Sequence, residues 1–277
     1  MTSIDANNGT GAASYSGFED LTVALDGGVL SLTLNRPGSL NSLTARMLNT
    51  LASILERAAA DPRVRVVRIG GAGRGFSSGA GIGARDHGDP DTAGTPGAVL
   101  DAANRCVRSI TNLPQPAVAV VHGPAAGVGV SLALACDIVL ASEEAFFLLA
   151  FTRIGLMPDG GASALIAAAI GRIRAMRMAL LAERISAGEA FEWGLVSAVY
   201  PVHEFDTQVD EVIAALVSGP AVALRETKDA INGATLTELQ AALERETKGQ
   251  LALLESPDFR EGTRAFQQRR PANFTDS

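Results

Sequence analysis

The chain has 277 residues, enough for one large domain or two small ones with a sizeable core. Hydrophobic residues make up 47% of it and charged residues 19%, which excludes disorder as the dominant state and favours a compact soluble α/β protein. Its 30 acidic residues exceed its 23 basic ones, which excludes a global positive field that would attract nucleic acid or an anionic membrane. An anionic ligand would therefore need locally placed arginines.

The first predicted elements are a hairpin and a helix. Residues 1–17 are polar and lack an apolar signal segment, so we expect a disordered tail. Apolar and polar residues alternate in Leu21–Leu25 and Val29–Asn35 on either side of a glycine turn, which is typical of a β-hairpin. Thr44 then predicts the N-cap of a helix that ends before Asp61-Pro62.

Strand, turn and helix recur along the middle of the chain. Val64–Ile69 is a β-branched run that enters Gly70–Gly83, where seven glycines allow the backbone to approach a ligand closely. After a loop rich in Gly, Asp and Pro at Asp86–Gly97, we expect helix Ala98–Ile110, strand Ala117–Val121, helix Gly127–Ala135 and strand Asp137–Ala141. From Gly160 onward the pattern predicts an almost wholly helical chain, with helices at Ala162–Leu181, Ser186–Trp193, Glu204–Val217, Ala221–Asn232, Leu236–Leu254 and Pro257–Arg269.

Several short motifs match catalytic signatures only in part. Gly75–Gly79 fits the Gly-x-Ser-x-Gly pattern of serine hydrolases, but Ser77 does not directly follow a strand. Gly79–Ala84 fits a loose dinucleotide-binding pattern, but the strand before it ends too early. Three scattered histidines and two distant cysteines give neither metal-ligand spacing nor a disulfide framework, so we expect no metal and a reducing, cytoplasmic compartment.

Two glycine-rich turns, around Ala80 and around Val128, each follow a predicted strand and can each offer exposed backbone N–H groups. Paired N–H donors of this kind stabilise an oxyanion. The same glycines would also serve a purely structural role by permitting tight turns and close helix packing. The turns alone leave both interpretations open.

Several separate segments between Leu21 and Phe274 together carry a family resemblance. In chain order they are Leu34–Pro37 with Leu40–Leu43, Gly71–Ala80, Val121–Gly129 with Ala135–Asp137, Ile154–Gly161, Gly171-Arg172, Ala190 with Trp193–Val196, and Ala265-Phe266 with Pro271–Phe274. These segments resemble the enoyl-CoA hydratase/isomerase (crotonase) superfamily.

The resemblance implies an α/β fold, a crotonase-like spiral of repeated ββα units over residues 18–200, with a C-terminal helical trimerisation region over residues 201–277. It also implies homotrimers, or hexamers built as dimers of trimers. The implied ligand is an acyl-CoA thioester, so coenzyme A enters as part of the substrate and no separate cofactor is expected. No nucleic-acid or membrane partner is expected.

The resemblance also assigns roles to individual residues. The backbone N–H groups of Ala80 and Val128 would hold the thioester carbonyl and stabilise an enolate, and each such donor can be worth about 100-fold in rate. The positions that match CoA-binding residues are Gly38, Ser39, Leu40, Ser78, Ile82, Phe266 and Arg269. The last two would help bind the nucleotide end, often from a neighbouring subunit.

At the acid/base positions the chain departs from typical hydratases of this family. Those enzymes carry two glutamates that position and activate water, whereas this chain has Ser131 and Phe151 there, in a pocket that would also include Pro124. Neither Ser131 nor Phe151 can perform carboxylate chemistry. An aromatic ring at position 151 would also keep water out of the pocket, so a standard hydratase mechanism is not expected.

Asp159 offers the remaining carboxylate. In several isomerases of the resembled family an acidic residue at the matching position does the chemistry, and a single carboxylate suits a proton shuttle. Burial beside Phe151 and Met157 should raise its pKa above the ordinary value of about 3.9. Asp159 also directly precedes the helix predicted from Gly160, where aspartate is a favoured N-cap, and the two roles are compatible.

We therefore expect an enoyl-CoA isomerase in which Ala80 and Val128 form the oxyanion hole and Asp159 is the acid/base. One alternative is a hydratase of atypical mechanism that uses Ser131 to position water. Another is a non-catalytic acyl-CoA-binding protein. In each case we expect the loop Asp86–Gly97 to shape the acyl pocket.

Overall fold

The computed structural model of the chain describes residues 14–81 and 97–275. The candidate CoA-binding residue Ile82 lies outside these residues. So do most of the predicted loop Asp86–Gly97 and residues 1–13 of the predicted disordered tail.

Within the described residues the strands form two sheets. The strands are β1 (Leu21–Asp26), β2 (Val29–Leu34), β3 (Val66–Gly71), β4 (Ala117–Val121), β5 (Pro124–Ala126), β6 (Ile138–Ser142), β7 (Phe146–Leu148), β8 (Arg184–Ser186) and β9 (Ala198–Tyr200). The larger sheet has the order β1-β2-β3-β4-β6-β9, in which β1 and β2 form the predicted antiparallel hairpin and the remaining pairs are parallel. The smaller sheet has the order β5-β7-β8.

Helices follow the strands in a recurring order. They are α1 (Ala45–Ala58), α2 (Ala98–Thr111), α3 (Val128–Ala135), α4 (Ala162–Leu181), α5 (Ala187–Trp193), α6 (Val202–Ser218), α7 (Ala221–Thr235), α8 (Leu239–Leu254) and α9 (Pro257–Gln268), with short 3-10 helices at Pro37–Ser39 and Ala150–Ile154. The order strand, strand, helix recurs in β1-β2-α1, β4-β5-α3 and β6-β7-α4. The predicted α/β class and its repeated units are thereby confirmed, as is the N-cap of α1, where Thr44 accepts a hydrogen bond from Met47 N.

The parallel part of the larger sheet is covered on both faces. The main core lies on one face under α1, α2 and α3. On the other face Phe205, Val209 and Ile213 of α6 pack against Val66 and Val118. Burial on both sides explains why β4 is a continuous apolar run. The division of the chain at residue 200 stays a prediction, since α6 lies beyond it and packs directly on the sheet.

The sequence pattern predicts an almost wholly helical chain beyond Gly160, and this prediction is wrong because two strands lie there. β8 pairs antiparallel with β7, and β9 extends the larger sheet in parallel with β6. Each has only three residues, too few for an alternating pattern to stand out from the neighbouring helices. The helix predicted over Ala162–Leu181 is present as α4 but is interrupted at Gly171, where φ is +74°.

Among the described residues no single helix is long and apolar enough to cross a membrane. The helices α6 and α7 meet the length and composition criteria only as a pair, and this pair is bent by 106°.

A partly buried ion pair ties the C-terminal helices to the sheet. Lys228 Nζ of α7 lies 2.9 Å from Asp137 Oδ2, just before β6, and also donates to the backbone oxygens of Ile110 and Gln115. The same Asp137 oxygen accepts a hydrogen bond from Ala117 N at 2.7 Å. Burial raises the pKa of Asp137 although the positive charge of Lys228 acts to lower it. The lysine therefore offsets part of the cost of taking this carboxylate out of water.

Replacing the lysine should destabilise the fold. We expect Lys228→Met to lower the free energy of unfolding at pH 7 by about 1–2 kcal/mol, because the partly buried carboxylate loses its counter-charge. Urea denaturation measures the change. Lys248→Met makes the same substitution at an exposed position of α8 and should change the free energy by less than about 0.5 kcal/mol. Equal effects of the two substitutions would contradict the role of the ion pair.

Candidate active site

The two glycine-rich turns lie side by side. Ser77 and Ala125 form a parallel β-bridge, and Ala126 N donates to Ser77 O at 2.8 Å. Ala80 and Val128 each lie three residues beyond the bridged pair. The shared register therefore brings together the two candidate N–H donors that the sequence places almost fifty residues apart.

Glycine at position 79 permits this approach. Gly79 has φ +84°, and a Cβ added there would lie 2.7 Å from the Ala126 carbonyl oxygen and 3.3 Å from Gly127 Cα. Any side chain would push the two turns apart. The structural role of the glycines is therefore to let the two turns come into contact. This role is compatible with the interpretation in which both turns offer N–H donors.

The backbone N–H groups of Ala80 and Val128 differ from those of their neighbours in the direction in which they can donate a hydrogen bond. Leu43 N donates to Gly79 O at 2.9 Å, and Gly81 N donates to Leu43 O at 3.4 Å. Because successive N–H groups of an extended chain point to opposite sides, the N–H of Ala80 points away from Leu43. Val128 is the first residue of α3, where N–H groups have no acceptor within the helix. This arrangement can supply two donors to one ligand oxygen.

Asn41 fastens the candidate CoA segment, residues 36–42, to the first turn. Its Nδ2 donates to the backbone oxygens of Ala72 at 2.9 Å and Gly75 at 2.8 Å, and its Oδ1 accepts from Arg36 N at 2.9 Å. The residue is fully buried and has φ +57°, a conformation that asparagine tolerates better than most residues. From the sequence, Asn41 stands out only as part of a motif, since no local pattern shows which carbonyl groups its side chain would reach.

Four of the predicted CoA-binding residues meet at this segment. Ser78 N donates to Leu40 O at 2.8 Å, and Ser78 Oγ donates to Ser39 O at 2.9 Å. Gly38 is exposed, and a Cβ added to it would meet no atom within 4 Å. The segment therefore has an open surface on one side and the first turn on the other.

Phe266 and Arg269 lie on a different element. Phe266 is in α9 and is 58% exposed, and Arg269 caps the C-terminus of that helix with φ +53°. Helix α9 packs against the 3-10 helix Ala150–Ile154 and against α8. A role of these two residues in CoA binding stays a prediction that relies on a neighbouring subunit.

Asp159 is a buried carboxylate with one oxygen held and one free. Its Oδ2 accepts from Gln250 Nε2 at 2.7 Å, whereas Oδ1 is buried without a hydrogen-bond partner among the described residues. Its backbone oxygen accepts from Ser131 Oγ at 2.8 Å. Burial raises the pKa of Asp159 to about 7; the hydrogen bond from Gln250 opposes this rise and the charge of Glu246 adds to it. The predicted rise in pKa is thus confirmed, with burial as its main cause.

The chain at Asp159 passes over the start of α3. A Cβ added to Gly160 would lie 3.2 Å from Ser131 Cβ and 3.8 Å from Val128 Cγ1. On the other side, a Cβ added to Gly127 would lie 3.7 Å from Phe151 Cζ. The second donor turn therefore lies between the Asp159 segment and the Phe151 ring, so three residues predicted separately are neighbours in space.

The interpretation of Asp159 as an N-cap is wrong. Helix α4 begins at Ala162, and its N-cap residue Gly161 offers no side chain. The N-terminus of α4 is instead capped by Glu246 of α8, whose oxygens accept from Gly161 N at 2.6 Å and from Ser163 N at 2.8 Å. Sequence reasoning misses Glu246 because it lies more than eighty residues from the helix end that it caps.

Ser77 and Pro124 belong to the framework of the first turn. Ser77 is fully buried, and its Oγ donates to Asn41 O at 2.9 Å and accepts from Gly79 N at 3.1 Å. The Gly-x-Ser-x-Gly match therefore does not present a nucleophile. The backbone oxygen of Pro124 accepts from Phe76 N and Ser77 N. Its contribution to an acyl pocket stays a prediction.

A cavity of about 440 Å³ lies elsewhere, between the end of α2 and helices α7 and α8, and none of the candidate residues lines it. Within the part of the chain that the structure describes, no three His, Cys, Asp or Glu side chains come together as a metal site. We therefore locate the candidate site from the hydrogen bonds and close contacts of its residues.

Comparison with known proteins decides the family. The family model for enoyl-CoA hydratase/isomerase matches residues 25–277. The chain belongs to this family. The crystal structure of an enoyl-CoA hydratase from Mycobacterium avium subsp. paratuberculosis K-10 is 64% identical in sequence and superposes with a TM-score of 0.86, over 93% of this chain and 99% of that one. The crotonase-type fold and its C-terminal helical region are thus confirmed.

Curated relatives in the enoyl-CoA hydratase/isomerase family include enzymes of more than one reaction. The chain is 37% identical over 249 residues to 1,2-epoxyphenylacetyl-CoA isomerase of Escherichia coli (strain K12), which covers 90% of this chain and 95% of the relative. It is 38% identical over 248 residues, with the same coverage, to a protein of Rhodobacter capsulatus named "Probable enoyl-CoA hydratase". The protein is therefore an acyl-CoA enzyme of this family.

Removing the Asn41 amide should loosen the CoA segment. We expect Asn41→Ala to lower the free energy of unfolding by about 3 kcal/mol, because several buried backbone groups lose their partner. It should also weaken the binding of free coenzyme A, measured by calorimetry. Asn35→Ala is the matched control, since Asn35 makes a single exposed hydrogen bond to Glu19 O. An Asn41→Ala protein with unchanged stability and affinity would contradict this role.

Proposed function

We propose that the protein is an enoyl-CoA isomerase that moves a proton along the acyl chain through an enolate. The observation that carries the proposal is Asp159, a buried carboxylate beside the second donor turn, one oxygen of which has no partner among the described residues. Its pKa of about 7 suits a group that takes and returns a proton at neutral pH.

In this mechanism the thioester oxygen accepts hydrogen bonds from the N–H groups of Ala80 and Val128. The Asp159 carboxylate removes a proton from carbon, and the electron pair moves to the thioester oxygen to give an enolate that the two donors stabilise. Asp159 then returns the proton two carbons away. The double bond has moved, the carboxylate is regenerated, and no other reactant is consumed.

The alternative of a hydratase that uses Ser131 has less support. The hydroxyl proton of Ser131 is donated to the backbone oxygen of Asp159, within the protein interior. The proton is therefore committed to holding the Asp159 segment, and the hydroxyl cannot donate it to a water molecule. The Phe151 ring against Gly127 also brings an apolar surface to the place where a second carboxylate would be needed.

The test follows proton transfer directly. With 3-enoyl-CoA in deuterium oxide, we expect the wild-type protein to form 2-enoyl-CoA and to exchange deuterium into the acyl chain. Asp159→Asn should reduce turnover by about 100- to 10,000-fold, because it removes the acid/base. Asp206→Asn, the same change at an exposed position of α6, should leave turnover unchanged.

Other outcomes would replace the proposal. Hydration of 2-enoyl-CoA without isomerisation would assign a hydratase, and binding of acyl-CoA without either reaction would assign a binding protein.

The pH dependence of the free energy of unfolding, measured for the wild-type protein and for Asp159→Asn, tests the raised pKa of Asp159. Because folding raises the pKa of Asp159 from 3.8 to about 7, the stability it contributes at low pH is lost as the pH rises through this range. A folded Asp159→Asn variant should lack that loss.

We also propose that the chain forms a homotrimer, or a hexamer as a dimer of trimers. The second half of α4 exposes an apolar stripe formed by Ile173, Met176 and Leu180, spaced so that they share one helix face. Ile173 is 77% exposed and the adjoining Leu181 61%. An exposed apolar stripe of this kind is typical of an interface between proteins.

Light scattering after gel filtration measures the assembly. We expect a mass of three or six times 28.6 kDa, and dissociation when charges are introduced by Ile173→Asp with Leu180→Asp. Thr207→Asp, at an exposed position of α6, is the control and should leave the mass unchanged. A wild-type protein that elutes as a monomer would overturn this proposal.

A further inference from the structure

Helix α8 supplies two buried polar residues, Glu246 and Gln250, that meet the Asp159 segment. Resting on the proposed function, we propose that both are positioning residues, which fix Asp159 so that its Oδ1 alone carries the proton. Neither residue is predicted by any local sequence pattern. They lie four positions apart, on one face of α8, so a single helix presents both.

Gln250 is oriented by a second hydrogen bond. Its Oε1 accepts from Met157 N at 3.2 Å, which leaves its amide nitrogen to donate to Asp159 Oδ2 at 2.7 Å. The helix approaches Met157 closely, since a Cβ added to Gly249 would lie 2.5 Å from its sulfur atom. Both ends of the Gln250 amide are therefore fixed, and the carboxylate is held at one oxygen by a donor that does not take part in the reaction.

The other oxygen of Asp159 is the one available for chemistry. Oδ1 is buried and has no hydrogen-bond partner among the described residues, a state that is unfavourable for a polar atom unless a ligand uses it. With Oδ2 occupied, the same atom must both remove the proton and return it. The carboxylate therefore stays on one face of the enolate throughout, so both transfers are expected on that face.

Glu246 sets the charge around Asp159. One oxygen accepts from Gly161 N and the other from Ser163 N and the Ser163 hydroxyl, an arrangement that fits the carboxylate form although burial raises the pKa of Glu246. Among the described residues Glu246 is the charged group whose field raises the pKa of Asp159, while the charge of Arg245 lowers the pKa of Glu246. Its negative charge favours protonation of Asp159, and the hydrogen bond from Gln250 favours ionisation, so the two positioning residues oppose each other.

Titration of the Asp159 carboxyl group, followed by carbon-13 NMR, tests this inference without requiring turnover. The Asp159 signal is assigned by its loss in Asp159→Asn, and its midpoint is expected near pH 7. Gln250→Met removes a hydrogen bond to the charged form and should move the midpoint upward by about one pH unit. Glu246→Gln removes a negative charge and should move it downward. A loss of packing alone would not produce opposite shifts.

The same variants give a kinetic readout. Since a general base must be ionised, the acid limb of kcat/KM for isomerisation should follow the NMR midpoints in both directions. Gln250→Met should lower kcat about ten-fold while KM stays within about two-fold, because the carboxylate is misplaced but the CoA segment is untouched. The matched controls Gln240→Met and Glu244→Gln make the same changes at exposed positions of α8 and should shift nothing.

Gln250→Glu keeps the inference testable if the Glu246→Gln variant does not fold. It keeps an acceptor for Met157 N and adds a charge, so the midpoint should lie above that of Gln250→Met. Folded Gln250 variants with an unchanged midpoint would overturn the inference, even if Asp159→Asn is inactive. If the variants shift the midpoint as expected but the wild-type protein shows no isomerisation, the positioning roles are upheld and only the proposed reaction is overturned.

Discussion

A contact between two backbones, with no room for a side chain, holds the candidate site together. At Gly79 the first turn touches the Ala126 carbonyl and Gly127, so that the Ser77–Ala125 bridge can continue into two neighbouring turns. All later features depend on this contact. Asn41 and Ser78 attach the candidate CoA segment to the first turn, and α3 begins at the second. A displacement at Gly79 would therefore move this segment and the two proposed N–H donors relative to each other.

The second constraint is electrostatic. Asp159 is placed where burial disfavours its charge, and one of its oxygens has no partner among the residues that the structure describes. Such an arrangement lowers stability at neutral pH but gives a carboxylate that can hold or release a proton there. The surrounding residues stabilise the segment rather than the free oxygen: Ser131 holds its backbone, Glu246 caps the next helix, and Gln250 fixes the other carboxylate oxygen.

The elements with long periodic patterns were predictable, as were the turns that precede α3 and follow β3. Strands β8 and β9 were not, because three residues carry no readable alternation. At the site, Ala80, Val128, Phe151 and Asp159 could each be proposed from the family resemblance of the segments around them. The N-cap interpretation of Asp159 failed because it considered only local neighbours, whereas the capping carboxylate comes from Glu246 on a helix that the chain forms much later.

The sequence by itself determined the α/β class, the family resemblance and the glycines that allow two neighbouring turns. Through the resemblance it also gave the expectation that Ser131 and Phe151 stand where hydratases carry two glutamates. These features are local or depend only on residue type. The tertiary structure alone decided that the two turns share one register, that Asn41 joins the CoA segment to them, and that α8 brings Glu246 and Gln250 to Asp159. Hydrogen bonds and burial depend on distances in space, and residues separated by eighty positions leave no pattern in the sequence that records such a contact.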